Sequence, residues 1–142
     1  MTRVDFYILP GGDPHDRRVL ACKLTEKAWR QGMKVHIHTR SDAEAEILDK
    51  LLWTFRQGSF IPHQKTTASA AEREDINVLI GGEAPAGFRD LVINLSLELP
   101  PGFAEYRRVA ELVNDDPAVR AEGRKRYAAY KQQGHELDTH KL

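Results

Sequence analysis

The clearest indication of the fold class comes from the stretch of residues 3–39, RVDFYILPGGDPHDRRVLACKLTEKAWRQGMKVHIHT. Its first part, residues 3–9, is rich in strand-forming side chains and ends at a Pro-Gly-Gly turn. An Asp-Pro pair beginning at Asp13 is typical of a helix N-cap, and Gly32 is typical of the end of that helix. A second short strand is predicted over residues 35–39. This strand-helix-strand order favours an α/β fold with a parallel sheet.

The rest of the chain continues the same alternation. Ser41 and Glu44 form a capping box, which predicts the start of a second helix. The apolar side chains expected on the buried face of that helix are Ile47, Leu48, Leu51, Leu52 and Phe55. The other predicted elements are strands over 76–80 and 91–97, a helix over 103–113, a helix over 117–133 that is capped by Asp116, a long loop over 57–75, and a polar tail over 134–142. We therefore expect one domain, an α/β sandwich whose largely parallel central sheet is flanked by helices.

The composition is that of an ordinary globular protein. The chain has 142 residues, of which 41% are hydrophobic, and its 21 basic and 21 acidic residues cancel. A neutral chain has no overall attraction to nucleic acid, so any such attraction must come from a local patch. No apolar run is long enough to span a bilayer, and no secretory leader is evident. With Cys22 as its one cysteine, the sequence predicts a cytoplasmic protein without disulfides.

The glycine turn after the first strand does not indicate a nucleotide site. The residues from Pro10 to Pro14 lack the G-x-G-x-x-G pattern and also lack the lysine and hydroxyl of a P-loop. Asp13 would repel a phosphate at the helix start, where the helix dipole would otherwise attract one. We therefore expect no nucleotide cofactor.

Two further features suggest chemistry only weakly. His36 and His38 lie two residues apart on a predicted strand, so their side chains point to one face. A metal site needs at least a third protein ligand, and the sequence offers none at a suitable spacing. We expect half-exposed strand histidines without a metal, and Cys22 as a small core residue. No catalytic residues are predicted, and an enzyme is disfavoured.

An aromatic segment near the middle of the chain is the first candidate for binding. Trp53 falls off the apolar face of its helix, and Phe60, Ile61 and Pro62, with His63 next to them, lie in a polar loop. Large apolar groups at such positions are typical of a protein-binding patch. A loop that folds back over its own sheet edge would place aromatic residues in the same way. The residues alone do not separate these two readings.

The basic last helix is the second candidate. It carries five cationic side chains and a single acid, Glu122. The cationic residues are Arg120, Arg124, Lys125, Arg126 and Lys131. Helical spacing places Arg120, Arg124, Tyr127 and Lys131 on one face. This face would suit an acidic peptide that carries an aromatic residue, or single-stranded nucleic acid stacked on the tyrosine, or simply a solvated cationic surface.

Motifs spread along the chain resemble one known family. They are Phe6-Tyr7-Ile8-Leu9, Ala28-Trp29-Arg30 with Gly32, Leu48-Asp49, Leu52-Trp53, Ser59-Phe60-Ile61-Pro62-His63, Arg126-Tyr127, Ala129-Tyr130-Lys131, Gly134, Leu137 and Thr139. Their order is similar to that of the chi subunit of bacterial DNA polymerase III, an accessory of the clamp loader. The resemblance implies a Rossmann-like α/β domain without nucleotide chemistry.

The resemblance also implies two partners and the residues that bind them. The psi subunit of the clamp loader would be bound by Trp53, Phe60, Ile61, Pro62 and His63. The acidic C-terminal tail of single-stranded DNA-binding protein, which ends in phenylalanine, would be bound on the last helix. The residues expected there are Arg120, Arg124, Tyr127, Ala128 and Lys131. Better-known members carry a lysine in place of Ala128 and an aromatic residue in place of His135. Association with DNA would then be indirect, and the alternative is direct binding of single-stranded nucleic acid by the basic helix.

Overall fold

One sheet of seven parallel strands dominates the computed structural model, which describes residues 2–58, 60–66, 76–82 and 88–142. The strands in this part of the chain are β1 (Arg3–Ile8), β2 (Val35–His38), β3 (His63–Lys65), β4 (Val78–Gly81), β5 (Leu91–Asn94), β6 (Arg108–Val113) and β7 (Glu136–Lys141). Their order across the sheet is β3-β4-β2-β5-β6-β1-β7, and every pairing is parallel. The predicted α/β class and parallel sheet are confirmed.

Three α-helices flank the sheet within the described residues. They are α1 (Pro14–Arg30), α2 (Asp42–Thr54) and α3 (Pro117–Gln132). Each begins at a side-chain cap, as the sequence predicts: Asp13, Ser41 and Asp116 accept hydrogen bonds from backbone N–H groups of the first turn. In the described part of the chain no helix combines the length and the apolar character needed to cross a membrane.

The helices lie on opposite faces of the sheet. Helices α1 and α2 pack on one face, where they share a core with alternate residues of the strands, such as Ala110 and Leu112 of β6. Helix α3 packs on the other face, against a separate cluster that includes Val4 and Phe6 of β1 and Val109 of β6. This division follows from the strand period of two, which sends successive side chains to opposite faces.

The buried face of α2 is narrower than predicted. Leu48 and Leu52 are fully buried, and Leu51 and Phe55 are partly buried against the same core. Ile47, which the sequence also placed on the buried face, is 42% exposed. The sheet therefore covers only the central line of the apolar stripe, because a flat surface contacts fewer positions of a helix than a surrounding core does.

The helix predicted over residues 103–113 is wrong. A short 3₁₀ turn, Phe103–Glu105, is followed, after two residues, by β6. Strand β6 lies between β1 and β5, and from Val109 onward it is buried on both faces. A strand covered on both sides carries apolar residues without alternation, so its pattern resembles that of a buried helix.

The polar tail expected after Gly134 is also corrected by the structure. Residues Glu136–Lys141 form β7, which pairs with β1 at the edge of the sheet. An edge strand can be polar because half of its surface faces water, and this polarity concealed the strand. The loop predicted over 57–75 contains the short strand β3, while position 59 and positions 67–75 lie outside the described residues.

A buried carboxylate joins α3 to the middle of the sheet. Glu111 of β6 is fully buried and accepts a hydrogen bond from Nε of Arg126 at 3.0 Å and one from the Tyr130 hydroxyl at 2.6 Å. The side-chain amide of Asn94 on β5 donates to the same carboxylate at 3.0 Å. Arg126 also donates from Nη1 to the carbonyl oxygen of Leu97 at 3.0 Å. These bonds fix the rotation of α3 about its own axis.

We expect Glu111→Gln to destabilise the fold strongly. The change leaves the buried Arg126 guanidinium without a counter-charge, which typically costs about 3–5 kcal/mol of unfolding free energy. Urea denaturation followed by circular dichroism measures this loss. The matched control is Glu122→Gln, because Glu122 forms an exposed pair with Lys125 on the same helix. The control should change stability by no more than about 0.5 kcal/mol, and equal effects of the two changes would contradict the role given to Glu111.

Candidate functional site

Helix α3 turns one face to the sheet and leaves the adjacent face open. Arg126 and Tyr130 are buried, whereas Arg120, Arg124 and Tyr127 are exposed to different degrees. The exposed three lie over the carboxyl ends of β1 and β6, where a cleft opens between the helix and the sheet. The inward residues hold the helix, and the outward residues are available for binding.

The cleft has a volume of about 210 Å³ and draws its walls from four elements. The lining residues are Phe6 and Ile8 of β1, Val113, Asn114 and Asp115 at the end of β6, Arg120, Gly123, Arg124 and Tyr127 of α3, and Thr139 of β7. The rings of Phe6 and Tyr127 meet edge to face with their centroids 5.2 Å apart. Tyr127 remains 37% exposed, so one side of its ring is free to contact a ligand. The interior of the cleft is therefore mainly apolar.

Gly123 allows the helix to approach the sheet at the cleft. A Cβ atom at this position would lie 3.1 Å from Cγ2 of Val113, which is tighter than an ordinary van der Waals contact. A larger side chain would push the helix outward or fill the cleft itself. The shape of the cleft thus depends on a glycine in the middle of α3.

Two guanidinium groups stand at the mouth of the cleft. Arg120 and Arg124 are one helical turn apart, and Oδ1 of Asp115 lies 3.8 Å from Nη1 of Arg120. The side chain of Arg124 has no hydrogen bond or ion pair to any residue that the structure describes. An exposed, unpaired guanidinium beside an apolar cavity is suited to bind a carboxylate, because it can donate two parallel hydrogen bonds.

The other cations of α3 do not join this group. Arg126 is buried against Glu111, although the sequence counted it among the surface charges. Lys125 forms an exposed ion pair with Glu122 at 3.1 Å. The helix therefore presents less positive charge to solvent than its sequence indicates, and the charge at the cleft comes from Arg120 and Arg124.

The structure brings together only part of the predicted tail site. Arg120, Arg124 and Tyr127 line the cleft. Ala128 and Lys131 are exposed on α3 but do not line it. Lys131 lies one turn beyond Tyr127, where it can act only on a ligand that extends past the cleft.

Sequence reasoning missed the sheet side of the cleft. Phe6 and Ile8 lie on the face of β1 that is turned to α3, and Thr139 of β7 is the register partner of Phe6. Phe6-Tyr7-Ile8-Leu9 and Thr139 are among the family motifs, but nothing in their spacing places them next to the last helix. Val113 and Asp115 were missed because β6 was predicted to be a helix.

The aromatic segment forms a second exposed surface. Trp53 at the end of α2 is 51% exposed and Phe60 is 74% exposed. Ile61, by contrast, is fully buried in the core below α1 and α2, and Pro62 is half-buried. Of the apolar side chains predicted here, Trp53 and Phe60 can contact a partner directly, whereas Ile61 anchors the loop.

His63 holds this surface in place. Its side chain is buried, and Nδ1 lies 2.6 Å from the carbonyl oxygen of Ile61 while Nε2 lies 2.9 Å from the carbonyl oxygen of Asp49. The ring also contacts the Trp53 indole, with the centroids 4.6 Å apart. His63 thus connects the loop to α2 and supports Trp53 from below.

The histidines of β2 are buried, so the prediction that they are half-exposed is wrong. Nδ1 of His36 lies 2.9 Å from the Tyr106 hydroxyl, and burial lowers the pKa of His36 to about 4, which keeps the ring neutral. Nε2 of His38 lies 3.3 Å from the Glu98 carboxylate. No cluster of three or more metal-ligating side chains occurs in the described parts of the chain. Cys22 is buried as predicted, and burial raises its pKa to about 12.

Comparisons with known proteins point to one family. The family model described as "DNA polymerase III chi subunit, HolC" matches residues 1–138. A protein of Pseudomonas aeruginosa named DNA polymerase III subunit chi is 47% identical over 143 residues, covering 100% of this chain and 98% of its own. A protein of the same name from Haemophilus influenzae is 31% identical, covering 94% of this chain and 93% of its own.

Among solved structures, the fold is similar to that of T4 UvsW. The TM-score is 0.70 with 8% sequence identity, and the match covers 99% of this chain. The chain spans 41% of the length of UvsW. A likeness at this level of identity concerns the fold alone.

Ile61 is buried and Phe60 is exposed, so substitutions at these two neighbouring residues should differ in their effect on stability. Ile61→Ala should cost about 2–5 kcal/mol of unfolding free energy, because it leaves a cavity in the core. Phe60→Ala should change stability by less than about 0.5 kcal/mol, because the ring contacts mainly solvent. Urea denaturation of both variants gives the two values, and a large loss from Phe60→Ala would mean that Phe60 belongs to the core.

Proposed function

Because the chain belongs to the DNA polymerase III chi subunit family, a family of replication accessory subunits, we propose that it works as a non-catalytic adaptor. One surface would bind the psi subunit of the clamp loader, and another would bind the acidic C-terminal tail of single-stranded DNA-binding protein. We expect it to do so in the cytoplasm, during DNA replication. The observation that carries the proposal is the cleft of α3, which combines an apolar interior with an unpaired guanidinium at its mouth.

The chemistry of the cleft fits a peptide that ends in phenylalanine. An apolar cavity of about 150 Å³ is large enough to hold a benzene ring, and the cleft has a volume of about 210 Å³. The phenylalanine ring would lie against Phe6 and Tyr127, and its terminal carboxylate would bind Arg124 through charge-assisted hydrogen bonds. Arg120 and the more distant Lys131 would attract the acidic residues upstream.

The aromatic surface fits the psi subunit in a different way. Trp53 and Phe60 supply large apolar side chains of the type that dominate binding energy at protein interfaces. Ile61, Pro62 and His63 would contribute by holding these two in position. Trp53 lies near the end of α2 and Phe60 lies in the loop before β3, whereas the cleft lies on the α3 face of the sheet. Both partners could therefore bind at the same time.

We expect tail binding to be modest and sensitive to salt. A short peptide held by one ring and one carboxylate would bind in about the micromolar range, near −8 kcal/mol. Its acidic residues act on exposed cations, and such attraction is screened over roughly 8 Å at physiological ionic strength. Raising the salt concentration should weaken binding without abolishing it, because the apolar contact remains.

The role proposed for Arg124 can be tested by substitution. Arg124→Ala removes the proposed carboxylate contact and should raise the Kd for an acidic tail peptide by roughly ten- to a hundredfold. Isothermal titration calorimetry measures this change. Lys125→Ala is the matched control, because it removes the same charge from the same helix outside the cleft, and its effect should be within about threefold.

Two further titrations distinguish the tail hypothesis from direct binding of DNA. A peptide without its terminal phenylalanine should bind far more weakly if the apolar cleft is the site. An oligonucleotide followed by fluorescence anisotropy should show no binding at physiological salt, since α3 has few free cations. Tight oligonucleotide binding that is lost in Arg124→Ala would instead support the direct nucleic-acid reading.

The role proposed for the aromatic surface can be tested in the same way. Trp53→Ala and Phe60→Ala should each weaken assembly with the psi subunit by at least tenfold, as expected of exposed aromatic residues at the centre of an interface. Size-exclusion chromatography and calorimetry with purified psi subunit test this. Both variants should keep wild-type affinity for the tail peptide, and a matching loss of tail binding would show that the two surfaces are not independent.

A further inference from the structure

An acidic side chain stands at the mouth of the cleft that is proposed to bind an acidic peptide. Asp115 lines the cleft beside Arg120, and Oδ1 of Asp115 lies 3.8 Å from Nη1 of Arg120. Both side chains are about half-exposed, at 57% and 50%. A carboxylate in this position is unexpected, because it would repel the charge that the cleft is proposed to attract.

The backbone of the turn after β1 holds Asp115 in this place. Its Oδ2 accepts a hydrogen bond from the Gly11 N–H at 3.0 Å, and its own N–H donates to the Gly11 carbonyl oxygen at 2.8 Å. Gly11 has a positive φ of 75°, a conformation that suits glycine. The carboxylate is thus fixed at the rim by one oxygen, while the other faces Arg120.

We propose that Asp115 is a built-in competitor of the acidic peptide for Arg120. In the empty cleft, Asp115 partly neutralises Arg120 and leaves Arg124 as the unpaired cation. An entering peptide must share Arg120 with Asp115, so acidic residues alone gain little. Binding then depends on the apolar group that fills the cleft and the terminal carboxylate at Arg124. This inference rests on the proposed function of the cleft and adds the selectivity of that site.

The consequence is discrimination among acidic peptides. A peptide that is only rich in aspartate meets Arg120, whose charge is partly neutralised by Asp115, and the unpaired Arg124. It is also repelled by the Asp115 carboxylate. A peptide that ends in an aromatic residue gains burial of its ring as well. Asp115 weakens the electrostatic contribution that both peptides share, so it lowers both affinities by a similar factor, and only the peptide that also buries its ring keeps enough affinity to stay bound at a given concentration.

The decisive variant is Asp115→Asn. The amide oxygen can still accept the hydrogen bond from Gly11, so the turn is kept while the charge is removed. We expect calorimetry to show binding of a short aspartate-rich peptide ending in phenylalanine about two- to fivefold tighter than in the wild type, the range typical of one exposed charge contact. The same peptide without its phenylalanine should gain by a similar factor, starting from a weaker affinity. Unchanged or weaker binding by Asp115→Asn would overturn the proposal.

Two controls make the result specific. Glu122→Gln removes an equal charge from α3 outside the cleft and should leave the affinity within the error of the measurement. In an Arg120→Gln background, Asp115→Asn should produce a smaller gain than in the wild type, because the contested cation is gone. An equal or larger gain there would mean that Asp115 does not compete for Arg120. Asp115→Ser repeats the test if the thermal unfolding midpoint of Asp115→Asn falls.

The outcomes separate this inference from the proposed function. If the wild type does not bind the peptide and Asp115→Asn does not either, the assignment of the cleft to an acidic tail fails, and the competition fails with it. If the wild type binds and Asp115→Asn binds no more tightly, the assignment stands and only the role of Asp115 is refuted.

Discussion

The buried carboxylate of Glu111 determines how α3 is held against the sheet. It lies on β6, one of the inner strands of the sheet, and bonds to Arg126 and Tyr130 of α3 and to Asn94 of β5. A buried charge is stable only with its partners in place, so α3 can take one rotation on the sheet. That rotation turns Arg124 and Tyr127 toward the cleft. Residues that hold the helix on the sheet, Arg126 and Tyr130, thus alternate along α3 with residues that line the cleft, Arg124 and Tyr127.

The same network explains why the composition of α3 is misleading. A run of basic and aromatic residues suggests a surface given entirely to binding, yet Arg126 and Tyr130 serve the interior. Desolvation by burial, with the neighbouring Glu111 charge, raises the pKa of Tyr130, so its hydroxyl remains a hydrogen-bond donor. What is left for a ligand is a small group at the rim. A count of basic residues therefore overestimates the cationic surface of α3, because it includes the guanidinium of Arg126, which is buried against Glu111.

Local signals predicted much of this fold, and the failures have a common physical cause. The caps at Asp13, Ser41 and Asp116 and the first strand-helix units were recognised because each depends on nearby residues. Strands β6 and β7 were missed because their character is decided by position in the sheet, one covered on both faces and the other at an edge. The residues on the helix side of the cleft could be predicted, because helical periodicity places Arg120, Arg124 and Tyr127 on one face. The sheet side required knowing that β1, β6 and β7 are neighbours.

The turn after β1 occupies a position that binds phosphate in many parallel α/β folds, but here it bonds to a side chain of the same chain. In many such proteins the first strand-to-helix turn approaches a phosphate through its backbone N–H groups. Here the N–H of Gly11 donates to the side chain of Asp115, and the Gly11 carbonyl accepts from the Asp115 backbone. A carboxylate of the chain itself thus takes the place that a ligand anion could occupy. The turn thereby ties the end of β1 to the end of β6, the two strands between which the floor of the cleft is formed.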